Sequence, residues 1–272
     1  MLLSCLALIL LSTGAAKASA ETVLEKVAKT GVLNAGTRVD TIPFGYLNEQ
    51  GKVEGYSVDL STLIQKKLEK KLNKPIKLNL VNVNVNSRFK EVESGNLDLV
   101  CSATTITQER LERVNFSIPF FVTGAQFLVK RADEKLFNIN GTLKNLAIAY
   151  LPNTTTSEII PQIYPAAKWV AVQTRQEGIA KLKKGEVNSV VSDGILLIGE
   201  LVKEGQDPRH FALMPKQPIT TELYGCILPK QDTQWKEFVD AVIASPENHD
   251  LQNDWFNVEK SKFPYLAERT VR

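Results

Sequence analysis

Histidine, cysteine and long apolar runs are all scarce in this 272-residue chain, and each scarcity removes a class of function. The only histidines are His210 and His249, and neither has a metal-ligand neighbour at i+3 or i+4, so no metal site is expected. There is no G-x-x-x-x-G-K-[ST] phosphate loop, no G-x-G-x-x-G after a strand and no G-x-S-x-G elbow. No cofactor is implied. Thirty acidic residues are spread so evenly that spacing picks out no catalytic pair. A net charge of +3 is too small to argue for nucleic acid or a membrane surface as partner.

The longest apolar run lies at the very start, from Leu2 to Leu11, and leads through small residues to Ala18-Ser19-Ala20. That run is too short to span a bilayer, which takes about 20 apolar residues. An apolar run closed by an A-x-A pattern reads as a secretory signal cleaved after Ala20. Residues 1–20 are therefore assigned as a signal peptide and the mature chain as exported to the periplasm. Removing them takes away Lys17 alone among charged residues, so the net charge falls from +3 to +2. Cys5 leaves with the leader, and the mature chain keeps Cys101 and Cys226. Two cysteines in an oxidising compartment favour one disulfide, the alternative being two buried thiols.

What is present is an alternation of strand and helix patterns. Strands are expected at 32–35, 76–80 and 97–100, with helices at 58–72 and after a cap at Asn86 or Ser87. The middle of the chain repeats this grammar: strands at 146–150, 169–172 and 189–191, helices at 157–163 and 177–184, then a tail helix at 235–244. Two β-α-β-α-β units without a linker argue for an α/β fold of two lobes, each with parallel strands. Polar residues gather where strands end. Thr107 can cap a helix whose first turn holds Arg110, against the helix dipole, and a bound carboxylate would relieve that conflict. Thr154, Thr155 and Thr156 form a second such junction, and Asp193 follows a strand where it could hold an ammonium group. Ligands of open α/β sheets bind beyond the carboxyl ends of the strands.

Several stretches together resemble the polar-amino-acid-binding proteins of bacterial ABC importers, solute-binding family 3. They are Gly36-Thr37-Arg38, Pro43-Phe44-Gly45-Tyr46, the runs 55–60 and 105–110, Asn115-Phe116-Ser117-Ile118-Pro119-Phe120 and Gly185-Glu186-Val187. Lys71-Leu72-Asn73-Lys74-Pro75, the run 155–158 and Tyr224-Gly225-Cys226 resemble its glutamate/aspartate-binding branch. The resemblance implies a type II periplasmic-binding-protein fold that closes around a free amino acid. Lobe 1 would comprise 21–123 and 224–272, lobe 2 would comprise 124–223, and two strands would cross between them. It implies that Arg110 clamps the ligand's α-carboxylate with Thr105, Thr155 and the Thr156 N–H. Asp193 would take the α-ammonium, assisted by the Ala103 carbonyl and Thr105. Arg38, Arg88 and Arg175 fall where side-chain selectivity is set, and two buried guanidinium groups at 38 and 88 would call for a second carboxylate. Cys101 and Cys226 would share one sheet. The implied partners are glutamate or aspartate and an importer permease, with the protein a monomer and not an enzyme. The competing readings are a glutamine binder, a prephenate- or arogenate-type dehydratase on the same scaffold, and a sensor module.

Overall fold

In the computed structural model, residues 21–257 are described, and the proposed leader at 1–20 lies outside them, as does the tail from 258 onward. Among the described residues, no helix is long and apolar enough to cross a membrane.

Two five-stranded sheets organise the chain. In the first, the strand order is Lys77–Asn82, Val32–Thr37, Leu99–Val100, Ile227–Leu228, Asn115–Phe116. In the second it is Lys168–Ala171, Ala147–Tyr150, Ser189–Asp193, Ala125–Lys130, Phe211–Met214. Each sheet has three parallel strands followed by two antiparallel additions. The sequence pattern led to parallel strands throughout. The strands added by antiparallel pairing are the ones by which the chain leaves and re-enters each lobe: Ile227–Leu228 and Ala125–Lys130 run against the parallel trio of their sheet, and Asn115–Phe116 and Phe211–Met214 run with it.

The crossings themselves, Phe121–Thr123 and Glu222–Tyr224, pair as a two-stranded antiparallel ribbon. They run so close to the second lobe's start that a Cβ on Gly124 would lie 1.8 Å from the Thr220 carbonyl oxygen, so only glycine fits there. Behind the ribbon, Phe44, Tyr56, Phe120, Phe121, Tyr224 and Phe256 pack edge-on or tilted, with ring centroids 4.7–6.3 Å apart. Leu33, Leu60, Ile64 and Leu99 continue this core under the first sheet. A separate core of Leu128, Ile179, Val190 and Leu197 lies under the second.

The helix Tyr56–Leu72 starts two residues before the expected boundary, because its cap is Gly55 at φ 136°, a conformation with no side-chain signature. Neither Asn86 nor Ser87 caps the helix Arg88–Glu93 with a side-chain bond. The Asn84 Oδ1 accepts the N–H groups of Asn86 and Ser87 instead, at 2.9 and 3.1 Å. Thr107 and Thr154 do cap their helices, accepting from the Arg110 and Ser157 N–H groups. Three α-helices had no counterpart in the sequence reading, Gly194–Lys203, Pro246–Phe256 and Val23–Thr30. The first is apolar nearly all round, since one side faces its own sheet and the other faces the first lobe. Gly199 meets Ile42 there so closely that a Cβ would lie 2.3 Å from the Ile42 carbonyl oxygen. The lobes are closed on each other.

Cys101 follows the strand Leu99–Val100, Cys226 precedes Ile227–Leu228, and the two are joined in a disulfide spanning 125 residues of sequence. It fastens the returning strand to the lobe that the chain left.

Candidate functional site

Between the lobes lies a narrow cavity. Its lining is Arg38, Arg88, Ala103, Thr105, Arg110, Thr154, Thr155, Thr156, Arg175 and Asp193. All nine ligand-contact candidates from the sequence are brought together here, with Thr154 added. The first sheet supplies Arg38 beyond Val32–Thr37, Arg88 at a helix start, and the 103–110 segment beyond Leu99–Val100. The second sheet supplies Thr154 to Thr156 beyond Ala147–Tyr150, Arg175 beyond Lys168–Ala171, and Asp193 at the end of its strand.

The four guanidinium groups are not equivalent. Arg38 is 1% exposed and makes a two-pronged contact to Asp40, Nε to Oδ1 at 2.8 Å and Nη2 to Oδ2 at 2.6 Å. Burial alone would raise the Asp40 pKa, but Arg38 and then Arg175 outweigh it and hold it below the ordinary value. The expectation that Arg38 lacks an anion is thus corrected: its partner sits two residues along, across a turn that periodicity does not register. Arg175 is buried, donates Nε to the Ser192 Oγ at 2.8 Å, and reaches across the lobes to the Asp40 carbonyl at 3.4 Å. Arg110 gives Nη1 to the Thr105 carbonyl at 2.8 Å. Arg88 is different. It is 2% exposed, and neither its Nε nor its Nη1 has a hydrogen-bond partner. Burial first, then the charges of Arg38 and Arg110, push its pKa well below the usual value. Its guanidinium and that of Arg110 both lie against the Phe89 ring, 5.2 and 5.4 Å from the centroid.

Asp193 stands at the start of the helix Gly194–Lys203, yet its side chain does not cap it. One carboxylate oxygen accepts from the Tyr224 hydroxyl and the other, Oδ1, is buried without a partner. Burial pushes the Asp193 pKa up to about 6, although Tyr224 and Arg175 pull the other way. Thr155 donates its hydroxyl to Glu222 Oε2 at 3.0 Å and lies 3.5 Å from the Thr105 Oγ1.

The cavity therefore holds two unsatisfied poles: a buried cation with free N–H groups and a buried carboxylate oxygen with no donor. A zwitterion would offer an anion to the one and an ammonium to the other. Other hollows are larger. The one lined by Glu21, Lys26, Asp98 and Asp232 has Lys26 on Asp98 at 2.6 Å, while Asp232 accepts the Val23 N–H at 2.6 Å. Both histidines are exposed, and among the described residues no group of three or more His, Cys, Asp or Glu side chains is arranged to hold a metal. Asp40, Ser192, Tyr224 and Glu222 escaped the sequence reading as site residues because they act behind the cavity wall.

The profile of the bacterial extracellular solute-binding proteins, family 3, matches residues 33–258. The chain belongs to this family. It is 32% identical over 258 residues to the glutamate/aspartate import solute-binding protein of Escherichia coli, covering 91% of this chain and 84% of that one. It is 30% identical over 203 residues to a glutamine-binding protein of Geobacillus stearothermophilus, covering 74% of each. Among solved structures, an ancestral amino acid-binding protein described as a precursor of cyclohexadienyl dehydratase superposes with a TM-score of 0.74. The two are 23% identical, over 87% of this chain and all of that one. Its likeness carries the fold: two lobes of the type II arrangement around an interlobe cleft.

Proposed function

We propose that this family member captures a free amino acid with an acidic side chain, glutamate or aspartate, between its lobes and hands it to an ABC importer. It works outside the cytoplasmic membrane, exported by residues 1–20, as a monomer that returns its ligand chemically unchanged. Lobe 1 (21–123 and 224–272) and lobe 2 (124–223) swing about the crossing strands. Arg110 and the backbone N–H groups of Thr105 and Thr156 hold the α-carboxylate, and Asp193 with the Ala103 carbonyl and the Thr105 hydroxyl oxygen holds the ammonium, with Thr155 beside it. Arg88 takes the side-chain carboxylate, with Arg38 and Arg175 beside it.

The observation that carries this reading is the pair of partnerless donors on buried Arg88. A guanidinium offers five N–H donors and no acceptor, so only an acceptor-rich group completes it. Glutamine would offer one carbonyl but turn an NH2 toward donors, at about 1–3 kcal/mol for each group left unpaired.

Calorimetric titration with the common L-amino acids tests it. Glutamate or aspartate should bind at least tenfold tighter than glutamine, a difference of about 1.4 kcal/mol. Equal or tighter binding of glutamine, arginine or histidine would refute the ligand class. Recovery of a dehydrated product from prephenate or arogenate would refute the non-enzymatic reading.

A further inference from the structure

Glu222 lies on the returning crossing strand, 2% exposed, and does not line the cavity. Its two carboxylate oxygens are each taken by a threonine hydroxyl. Oε1 accepts from Thr220 Oγ1 at 2.9 Å and Oε2 from Thr155 Oγ1 at 3.0 Å. Thr220 Oγ1 in turn accepts the Ala125 N–H at 3.0 Å, so its single proton is free to point at Glu222.

The polarity of this arrangement is determined by counting protons. A hydroxyl has one proton and two lone pairs, and an ionised carboxylate can only accept. Thr155 therefore spends its proton on Glu222 and can only accept from elsewhere. Its neighbour Thr105 lies 3.5 Å away across the lobe boundary, and in that contact Thr105 must be the donor. The chain runs Thr105 to Thr155 to Glu222, with every proton directed toward the carboxylate. Both threonine oxygens are left presenting lone pairs to the cavity that Asp193 also lines, and Glu222 lies near enough to Asp193 for its charge to raise the Asp193 pKa. Hydrogen bonds aligned in one direction polarise each other, which strengthens the acceptor character at the far end.

We infer that Glu222 is a positioning residue for the cationic end of the ligand, acting one hydrogen bond back from the cavity by fixing Thr155 and Thr105 as acceptors. This rests on the amino-acid reading above. The group recognised is an ammonium, and Glu222 helps a ligand that has one and not a ligand that lacks it.

Glu222→Gln tests the inference, because the amide keeps the size but can donate to Thr155 as well as accept from it, which releases the fixed polarity. Glutamate should bind the variant about tenfold more weakly, while glutarate, the same dicarboxylate without the ammonium, should bind it as it binds the unmutated protein. Equal losses for the two ligands would overturn the inference in favour of a purely structural role. A cycle with Thr155→Val supplies the second decision, whether or not glutarate binds measurably. In the Thr155→Val background, Glu222→Gln should cost glutamate binding less than about twofold, since the link is already cut. A full additional tenfold loss would overturn it. If the unmutated protein binds no amino acid at all, the proposed function fails and not this inference.

Discussion

The two lobes share one strand grammar and bring opposite things to the cleft. Lobe 1 contributes Arg38, Arg88 and Arg110 to the cavity, and its nearest carboxylate, Asp40, is already engaged by Arg38. Lobe 2 contributes three threonines at a helix start, one arginine held by Ser192, and the carboxylate of Asp193 with a free oxygen. Neither wall alone is complementary to a zwitterion. A ligand with an ammonium and two carboxylates would complete both walls at once, and that gives closure its driving force: differential interaction with the closed state.

The sharpest way to break this division is to remove one pole from each wall. Arg110→Ala and Asp193→Ala should each weaken every bound amino acid by more than a hundredfold, since truncating one partner of a buried charge pair costs about 3–5 kcal/mol. Near-normal affinity in either folded variant, measured by titration calorimetry, would mean that the site is misplaced.

The lobes also differ in how they are fastened. Lobe 1 is built from two separated chain segments and carries the Cys101–Cys226 bridge, whereas lobe 2 is one continuous stretch and holds no cysteine. The bridge should contribute about 2–4 kcal/mol by restricting the unfolded chain. Replacing both cysteines with serine should lower the urea midpoint of lobe 1 while leaving lobe 2 in place, as tryptophan fluorescence of Trp235 and Trp169 would report separately. Two free thiols in denatured, oxidised protein would deny the bridge altogether.

Much of this division was legible in the sequence, because both lobes use strand-to-helix junctions whose cues are local. Thr107 and Thr154 announce their caps, and Gly185 ends its helix as a left-handed residue at φ 77°. The site residues could be gathered because each follows a strand. What stayed hidden depends on contacts distant in sequence. Asp193 and Tyr224 meet across 31 residues, and Thr155 and Glu222 across 67. The helix Gly194–Lys203 has no polar face to give it a period, because it is covered on both sides. Asp40 was near enough to see but lies in a two-residue strand, Asp40–Thr41, too short for alternation to show.

That overlooked aspartate changes what is expected of Arg38. Arg38 and Arg88 looked interchangeable in sequence, yet one is paired and the other is not. Arg88→Ala should narrow the preference for glutamate over glutamine at least tenfold, because it removes the donors that only an anion satisfies. Arg38→Ala should act differently. It leaves the Asp40 carboxylate behind the cavity wall without its two-pronged partner and loosens that wall, so all ligands weaken together and the preference stays. Parallel titrations of the two variants with both ligands distinguish these outcomes, and the same selective effect from both would return Arg38 to the role that the sequence suggested.

The smallest expected effect is on pH, and it separates the walls without mutation. Asp193 is raised from 3.8 to about 6 chiefly by burial, and its surroundings on every side are Tyr224, Arg175, Arg38 and Glu222. Its proton is thus held more tightly in the folded, ligand-free protein than in the unfolded chain. Stability from that protonation is complete below pH 3.8 and is lost as pH rises through about 6. Binding runs the other way, because the ligand ammonium needs the ionised carboxylate. Affinity for glutamate should hold steady above about pH 7 and fall to about a tenth by pH 5, one unit below the Asp193 value. Asp193→Asn should therefore bind weakly at every pH with a flat profile, and its ligand-free melting temperature at pH 7.5 should exceed that of the unmutated protein, since the buried charge is gone while Tyr224 keeps an acceptor. Affinity unchanged between pH 7.5 and 5 would remove Asp193 from the ammonium site and leave lobe 2 without the pole assigned to it.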